Sequence, residues 1–328
     1  LLTRYGEESA GALSLLAADQ EYPSQLDYQP LSSNDLSQRI AQTHATSSLL
    51  ISSDDLHMSL AGVQNKLGIV YRDGEFAIPK GAAASSHIIK PNNNNAAFEF
   101  CPANEYFCMR LGKDMGLPIP DIYLLHIPDP VYVVQRFDRV ISDEEIKRLH
   151  QIDLCQMLNR WVGYKYENHG GVTMQEQLNT LNLLIQPAVA RDRIIRWILF
   201  NYIIGNNDAH AKNLAFLVNH QGIRLAPFYD LLCVQSYLPE SDMAMSIAGE
   251  IKPGWIERQH WQGLAQQAGV PLSLIQDYAN KYINTVIEKV DSVMADEAFT
   301  QQERDFLQEK LVPVIEQRVG YLREAFAS

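Results

Sequence analysis

One change of texture, near Phe137–Arg139, limits what this chain can fold into. Before it the sequence reads as short strands separated by turns, with one helix. Leu67–Tyr71 and Phe76–Ile78 flank Asp73-Gly74, the signature of a β-hairpin. His87–Lys90 reads as a strand ended by Pro91, and 92–95 as a polar loop. Asn104 reads as the N-cap of a helix over 105–115, stopped by Gly116 and Pro118. Strands follow at 122–126 and 132–137. Residues 1–50 read as loops with a short helix. After Arg139 helices dominate, at 150–160, 174–184, 191–204, 270–294 and 301–326, interrupted by one hairpin at 214–218 and 223–227. The spacing predicts an α+β protein of two lobes, residues 1–138 and 139–328.

Composition excludes several classes. The 328 residues are 46% apolar and 20% charged, an ordinary globular balance that rules out a wholly disordered chain. The net charge of −12 argues against a surface that coats nucleic acid, though not against a local basic patch. No apolar run nears the roughly 18 residues of a membrane span. The 4 cysteines form no Cys-x-x-Cys pair, which speaks against a zinc ribbon and for buried thiols in a reduced, cytoplasmic protein. The four tryptophans, Trp161, Trp197, Trp255 and Trp261, are expected to pack rather than to stack on a nucleotide. Opening at Leu1 without a leader pattern, the chain is expected to be part of a longer polypeptide.

The chemistry concentrates in Gly205-Asn-Asn-Asp-Ala-His-Ala-Lys-Asn213, which follows an amphipathic helix. Gly-Asn-Asn-Asp alone is ordinary turn chemistry. Here, however, an Asp (Asp208), an Asn five residues on (Asn213), a hairpin and a second Asp (Asp230) follow in order. That is the layout of a kinase catalytic and metal loop. Phosphoryl transfer needs an aligned hydroxyl and neutralised phosphate charge. Asp208 suits the proton of the attacking hydroxyl; Asn213 and Asp230 offer hard oxygens to Mg²⁺. His210 and Lys212 lie between them, within reach of phosphate or nucleotide.

A kinase also needs a cation on a strand for the α- and β-phosphates of ATP. Lys90 ends the strand 87–90, upstream of the helix that carries Glu105, its expected ion-pair partner; Glu99 competes for that role. For a single lysine, a snorkelling edge position is the commoner explanation. The small-residue stretch Ser59-Leu-Ala-Gly-Val-Gln-Asn-Lys66 precedes a strand. It lacks the Gly-x-Gly-x-x-Gly and Walker spacings, and by itself is a weak signal for a phosphate loop.

With those residues in view, the chain resembles the HipA family of toxin–antitoxin serine/threonine kinases. The matching stretches include 59–66, 79–81, 86–90, 104–106, 136–139, 153–156, 165–167, 205–213 and 227–230, in family order. The resemblance implies a kinase fold related to lipid and protein kinases, with ATP and Mg²⁺ as cofactors. It implies Asp208 as catalytic base, Asn213 and Asp230 as Mg²⁺ ligands and Lys90 on the ATP phosphates. Ala61, Gly62, Val63 and Gln64 would form the phosphate loop. Gln135 and Phe137 would lie in the hinge that meets adenine, Asp138 beside the ribose and His210 near the nucleotide. Ser59 would be the autophosphorylated serine, whose added charge repels nucleotide and switches the kinase off. A helix-turn-helix antitoxin resembling HipB, operator DNA held through it, and an aminoacyl-tRNA synthetase such as glutamyl-tRNA synthetase are the implied partners. Growth inhibition and persistence are the implied outcome. Family members carry a further stretch of chain before the segment that matches Tyr5, and this chain is expected to lack it. Gln135 stands where the best-known branch has Glu, and Asn65 replaces an acidic residue. A small-molecule or lipid kinase on the same scaffold would share these groups. A catalytically idle corepressor would have no need of Lys90, Asp208, Asn213 and Asp230 together.

Overall fold

The computed structural model describes residues 10–14, 19, 21–23, 25–47, 66–93, 95–143 and 145–327. The chain divides into two compact units. The first comprises residues up to 102 with 120–151 and 217–219; the second comprises 103–119, 152–216 and 220–328. The cut after Gln151 lies beyond the expected one at Asp138/Arg139, and the helix Cys101–Asp114 belongs to the second unit from Ala103 onward.

The first unit is built on a six-stranded antiparallel sheet. Its strands are β1 (Leu26–Leu31), β2 (Leu67–Arg72), β3 (Glu75–Gly81), β4 (His87–Pro91), β5 (Ile122–His126) and β6 (Pro130–Gln135), in the order β1-β3-β2-β4-β6-β5. The β2–β3 hairpin turns at Asp73-Gly74 as its sequence predicts, with both residues at positive φ. Helix α1 (Ser33–Ser47) seals one sheet face: its Leu36 and Ile40 join Leu31, Ile69, Phe76, Ile89, Val131 and Val133 in one core. Side chains alternate along a strand, so Lys90, beside Ile89, faces away from that core. It stands opposite Tyr132 in the β4–β6 register. Sequence reading missed β1, and it placed Arg139 onward in the helical half. A second hairpin is there instead, β7 (Arg139–Ile141) and β8 (Ile146–Arg148), closed where Ser142 Nα donates to the Glu145 carbonyl at 3.0 Å.

The second unit is helical. Helix α2 (Cys101–Asp114) starts three residues before the predicted cap, so Asn104 is interior. Its amide grips Cys233 instead, accepting from the backbone N–H at 2.8 Å and donating to the carbonyl at 3.0 Å. The helix predicted over 150–160 is mostly absent. Strand β9 (His150–Asp153) gives way to the single turn α3 (Leu154–Met157), because Asp153 and Gln156 form a capping box that starts the helix there. Asn159, at φ 51°, ends it in the left-handed region. Helices α4 (Met174–Thr180) and α5 (Pro187–Ile203) follow, then the hairpin strands β10 (Ala215–Asn219) and β11 (Gly222–Leu225); the three-stranded sheet runs β11-β10-β9.

The C-terminal helices are α6 (Arg258–Ala268), α7 (Leu272–Met294), α8 (Gln301–Phe306) and α9 (Val312–Phe326). Sequence reading missed α6, which Gly269 ends in the left-handed conformation. The helix predicted over 301–326 is interrupted by a π-helical turn at Leu307–Leu311, just before Pro313, which has no N–H to donate. Trp197 and Trp261 are core residues, but Trp161 and Trp255 are 75% and 61% exposed, against the packing expected of all four. The four cysteines are buried thiols. Among the described residues no helix is long and apolar enough to cross a membrane.

Candidate active site

Helix α5 carries the loop that holds the chemistry. Pro187 opens it with a φ already set for a helix, and Ile194, Ile195, Trp197, Ile198, Leu199 and Phe200 bury it. Gly205, at φ 66°, lets the chain leave the helix sharply. The loop is then fastened just before Asp208. Asn206 Nδ2 donates to Asn201 Oδ1 at 2.7 Å and to the Asp230 carbonyl at 3.3 Å. Asn207 Nδ2 donates to the Ser241 carbonyl at 2.7 Å, and Asn207 Oδ1 accepts from Arg318 Nη2 at 3.1 Å. Both asparagines are buried, so each lost bond would strand a polar group away from water.

Asn213 and Asp230, 17 residues apart in sequence, meet. Asn213 Nδ2 donates to Asp230 Oδ2 at 2.6 Å, while Asn213 Oδ1 accepts from the His210 N–H at 3.1 Å. Asp230 holds φ 60°, a left-handed conformation uncommon outside glycine and of the kind that gathers at functional sites. The Lys212 ammonium pairs with Asp153 Oδ2 at 2.5 Å.

Asp208 is held from a segment to which the sequence reading gave no role. Tyr166 Oη donates to Asp208 Oδ1 at 2.7 Å, and its ring lies edge-on to the His210 imidazole, 5.3 Å between centroids. Lys165 places its ammonium over the same Tyr166 ring, 4.8 Å from the centroid. Burial pushes the Lys165 ammonium below its ordinary range; the charges of Asp208 and Asp230 oppose this and that of Lys212 reinforces it. The only sequence signal for this pair was the stretch 165–167 in the family resemblance.

The donor set fits a magnesium nucleotide. Carboxylate and amide oxygens are the ligands Mg²⁺ prefers, and it completes its shell with phosphate and water rather than with a protein cage. Among the described residues no group of three or more His, Cys, Asp or Glu forms such a cage. His210 is 3% exposed, and neither ring nitrogen has a hydrogen-bond partner among the described residues. Burial, then the nearby Lys165 charge, lowers its pKa to about 4, so the ring is neutral at physiological pH and can accept or donate one bond.

The nucleotide-binding candidates of the first unit form a separate group. Lys90 is 5% exposed, its ammonium 5.7 Å from the Tyr132 ring centroid. Gln135 and Arg136 give their backbone N–H groups to Asp121 and Ser86, at 2.8 and 2.9 Å. Phe137 is half-buried. Asp138 is a structural knot. Its carboxylate takes both Nε and Nη2 of Arg136 (3.0 and 2.9 Å), Nη1 of Arg139 (2.9 Å) and the Gly11 N–H (2.6 Å). Burial would raise this carboxyl, but the two guanidinium groups and the Gly11 bond outweigh it and hold it below the usual range. A buried carboxylate so engaged fixes Arg136 and Arg139 against the segment that carries Gly11. Glu105 lies on α2 in the second unit, 1% exposed. Ser59, Ala61, Gly62, Val63 and Gln64 lie outside the described residues.

An antiparallel sheet unit bearing a buried lysine, and a helical unit bearing an Asp-Asn-Asp loop, define a protein of kinase-like fold. A solved structure of Shewanella oneidensis HipA with HipB and its operator DNA matches all of this chain and 80% of its own, with a TM-score of 0.86 and 25% identity. The Helicobacter pylori proinflammatory kinase CtkA matches 80% of this chain and 93% of its own at a TM-score of 0.50; at 13% identity that likeness concerns the fold alone. In sequence, Y4mE of Sinorhizobium fredii, which carries the name of a kinase, is 35% identical over 90% of this chain and 72% of its own. The serine/threonine-protein kinase toxin HipA of S. oneidensis is 29% identical over 84% of this chain and 66% of its own. The family model of the HipA-like C-terminal domain matches residues 58–294. The chain belongs to the HipA-like family.

Proposed function

We propose that this protein is the toxin of a toxin–antitoxin pair, an Mg²⁺-ATP-dependent serine/threonine protein kinase. The observation that carries the reading is the bond between Asn213 Nδ2 and Asp230 Oδ2, with Asp208 held on the same loop. Two side chains with hard oxygens are then tied to each other across the hairpin, and a carboxylate base sits on the loop that carries one of them, an arrangement that suits phosphoryl transfer. In this reading Asp208 takes the proton of a substrate hydroxyl as its oxygen bonds to the γ-phosphorus. The bond from that phosphorus to the bridging oxygen breaks, and ADP leaves with the electron pair. Asn213 and Asp230 would hold Mg²⁺, which neutralises phosphate charge when bound. His210 would meet the nucleotide. Lys90, with Glu105 as counter-charge, would hold the α- and β-phosphates, residues 61–64 would cover them, and Gln135 and Phe137 would border the adenine.

The remaining roles are proposed from the family resemblance. The substrate would be an aminoacyl-tRNA synthetase, with glutamyl-tRNA synthetase as first candidate, in the cytoplasm. Its modification would arrest growth and favour persistence. Phosphorylation of Ser59 would turn the kinase off, and a HipB-like antitoxin would hold it in a complex that represses transcription at operator DNA.

The test is labelled ATP and Mg²⁺ with a panel of purified synthetases, wild type beside Asp208→Asn. Label on one synthetase with wild type only is the expected result. If no protein is labelled although Mg²⁺-ATP raises the melting temperature, a small-molecule kinase is indicated; if there is neither label nor stabilisation, an idle corepressor.

A further inference from the structure

The segment around Lys165 and Tyr166 is clamped into the second unit more firmly than a connecting loop requires. The Glu167 N–H donates to the Ala244 carbonyl at 3.2 Å, and Glu167 Oε2 accepts from the Ser246 N–H at 2.6 Å. The Ala244 N–H in turn donates to the Asn207 carbonyl at 2.8 Å. One short stretch therefore ties Glu167 to the residue preceding Asp208. The loop closes on itself as well: Gly171 and Val172 donate to the carbonyls of Tyr166 and Tyr164 at 2.9 and 3.0 Å. Between these clamps the Tyr166 ring is fixed by Lys165 on its face and by the rings of His169 and His210, 5.6 and 5.3 Å away. Its hydroxyl ends on Asp208 Oδ1.

A carboxylate that receives a proton must present the right oxygen at the right angle, and a hydrogen bond from a rigid donor to its other oxygen fixes that rotation. Transfer also spreads negative charge over the phosphoryl oxygens, where a nearby cation helps most in a site that excludes water. Resting on the kinase reading above, we propose that Tyr166 is a positioning residue for Asp208, and that Lys165 is a catalytic residue contacting the transferred phosphoryl group. The alternative is a purely structural pair that packs the loop and neutralises acids.

The experiment uses the whole chain, labelled Mg²⁺-ATP and the synthetase that wild type labels, or the chain itself where self-labelling is the stronger signal. Tyr166→Phe keeps the ring and loses the hydroxyl. The expected result is a fall in kcat of at least about tenfold, the scale of one bond to a charged group, with the KM for ATP within about twofold of wild type. Lys165→Met should lower kcat at least about tenfold, with Lys165→Arg restoring part of it. Wild-type kcat in Tyr166→Phe or Lys165→Met, or a Tyr166→Phe loss that appears only as a raised KM for ATP, would overturn the assignment while leaving the kinase reading intact. Absence of any transfer by wild type would instead remove the kinase reading, and this assignment with it.

Discussion

The guanidinium of Arg318, on the last helix, donates to Asn207 Oδ1 at 3.1 Å, one residue before Asp208. The same Nη2 and the Nε donate to Gln235 Oε1 at 2.5 and 3.0 Å, and the group stacks 5.0 Å from the Tyr202 ring centroid. Arg318 is fully buried and its partners are neutral amides and a ring, so burial lowers its pKa. Arg318→Lys cannot reproduce the fork. It should destabilise the fold by about 1–3 kcal/mol in urea unfolding, the cost of stranded buried acceptors, and should lower transfer by loosening Asn207. An unchanged rate at reduced stability would show that this helix supports the fold and not the loop.

Asp230 combines a special backbone with a special side chain, and the two can be separated. Asn tolerates the left-handed region, whereas Ala there costs roughly 1–2 kcal/mol. Asp230→Asn should therefore melt near wild type but lose the stabilisation conferred by Mg²⁺-ATP. Asp230→Ala should lose both. Thermal shifts with and without Mg²⁺-ATP check this, and full ligand stabilisation in the Asn variant would reassign the metal ligand.

What was legible in the sequence was local. Asp208, Asn213 and Asp230 could be read because one loop and one hairpin carry all three, and their spacing is set by that hairpin. Tyr166 could not, because it reaches Asp208 across 42 residues and a lone tyrosine has no period or spacing to betray it. Asn104 misled for a related reason. A capping residue type before a helical run resembles a start signal, but its amide serves Cys233, 129 residues away. At 150–160 the helical pattern was overridden by the strand β9 and by the Asp153 cap. The contacts of Asp138 were not legible either, since Gly11 reaches its carboxylate from 127 residues away.

His87 should make stability depend on pH. It is buried in the sheet, its Nδ1 is 2.7 Å from Ser86 Oγ, and burial lowers its pKa to about 4 against an ordinary 6.5. Between these values the unfolded chain binds a proton that the folded chain refuses, so stability falls as pH drops through the window and is flat above it. The slope for one such proton is at most about 1.4 kcal/mol per pH unit. His210, also lowered to about 4, adds a second proton in the same window. Urea unfolding at pH 7.5, 5.5 and 4.5 should give a shallower slope for His87→Gln than for wild type. Parallel curves would mean that the folded chain protonates His87 normally.

Gly170 and Gly171 are neighbours with opposite demands, which gives a sharp test of how the Tyr166 loop is held. Gly170 has φ 74° and open space where a Cβ would go, so Gly170→Ala should cost about 1–2 kcal/mol of backbone strain and leave transfer near wild type. A Cβ on Gly171 would instead run into the carbonyl oxygens of Tyr164 and Tyr166, the two acceptors that close the loop. Neither oxygen can retreat without breaking its bond to Gly171 or Val172. Gly171→Ala must therefore open the turn, and the Tyr166 hydroxyl moves with it. Its loss of kcat should equal or exceed that of Tyr166→Phe, whereas Gly170→Ala keeps most activity at comparable stability. Steady-state kinetics on the two alanine variants, beside their melting temperatures, decide it. Equal kcat in both would mean that the loop tolerates displacement and that Asp208 is oriented by other groups.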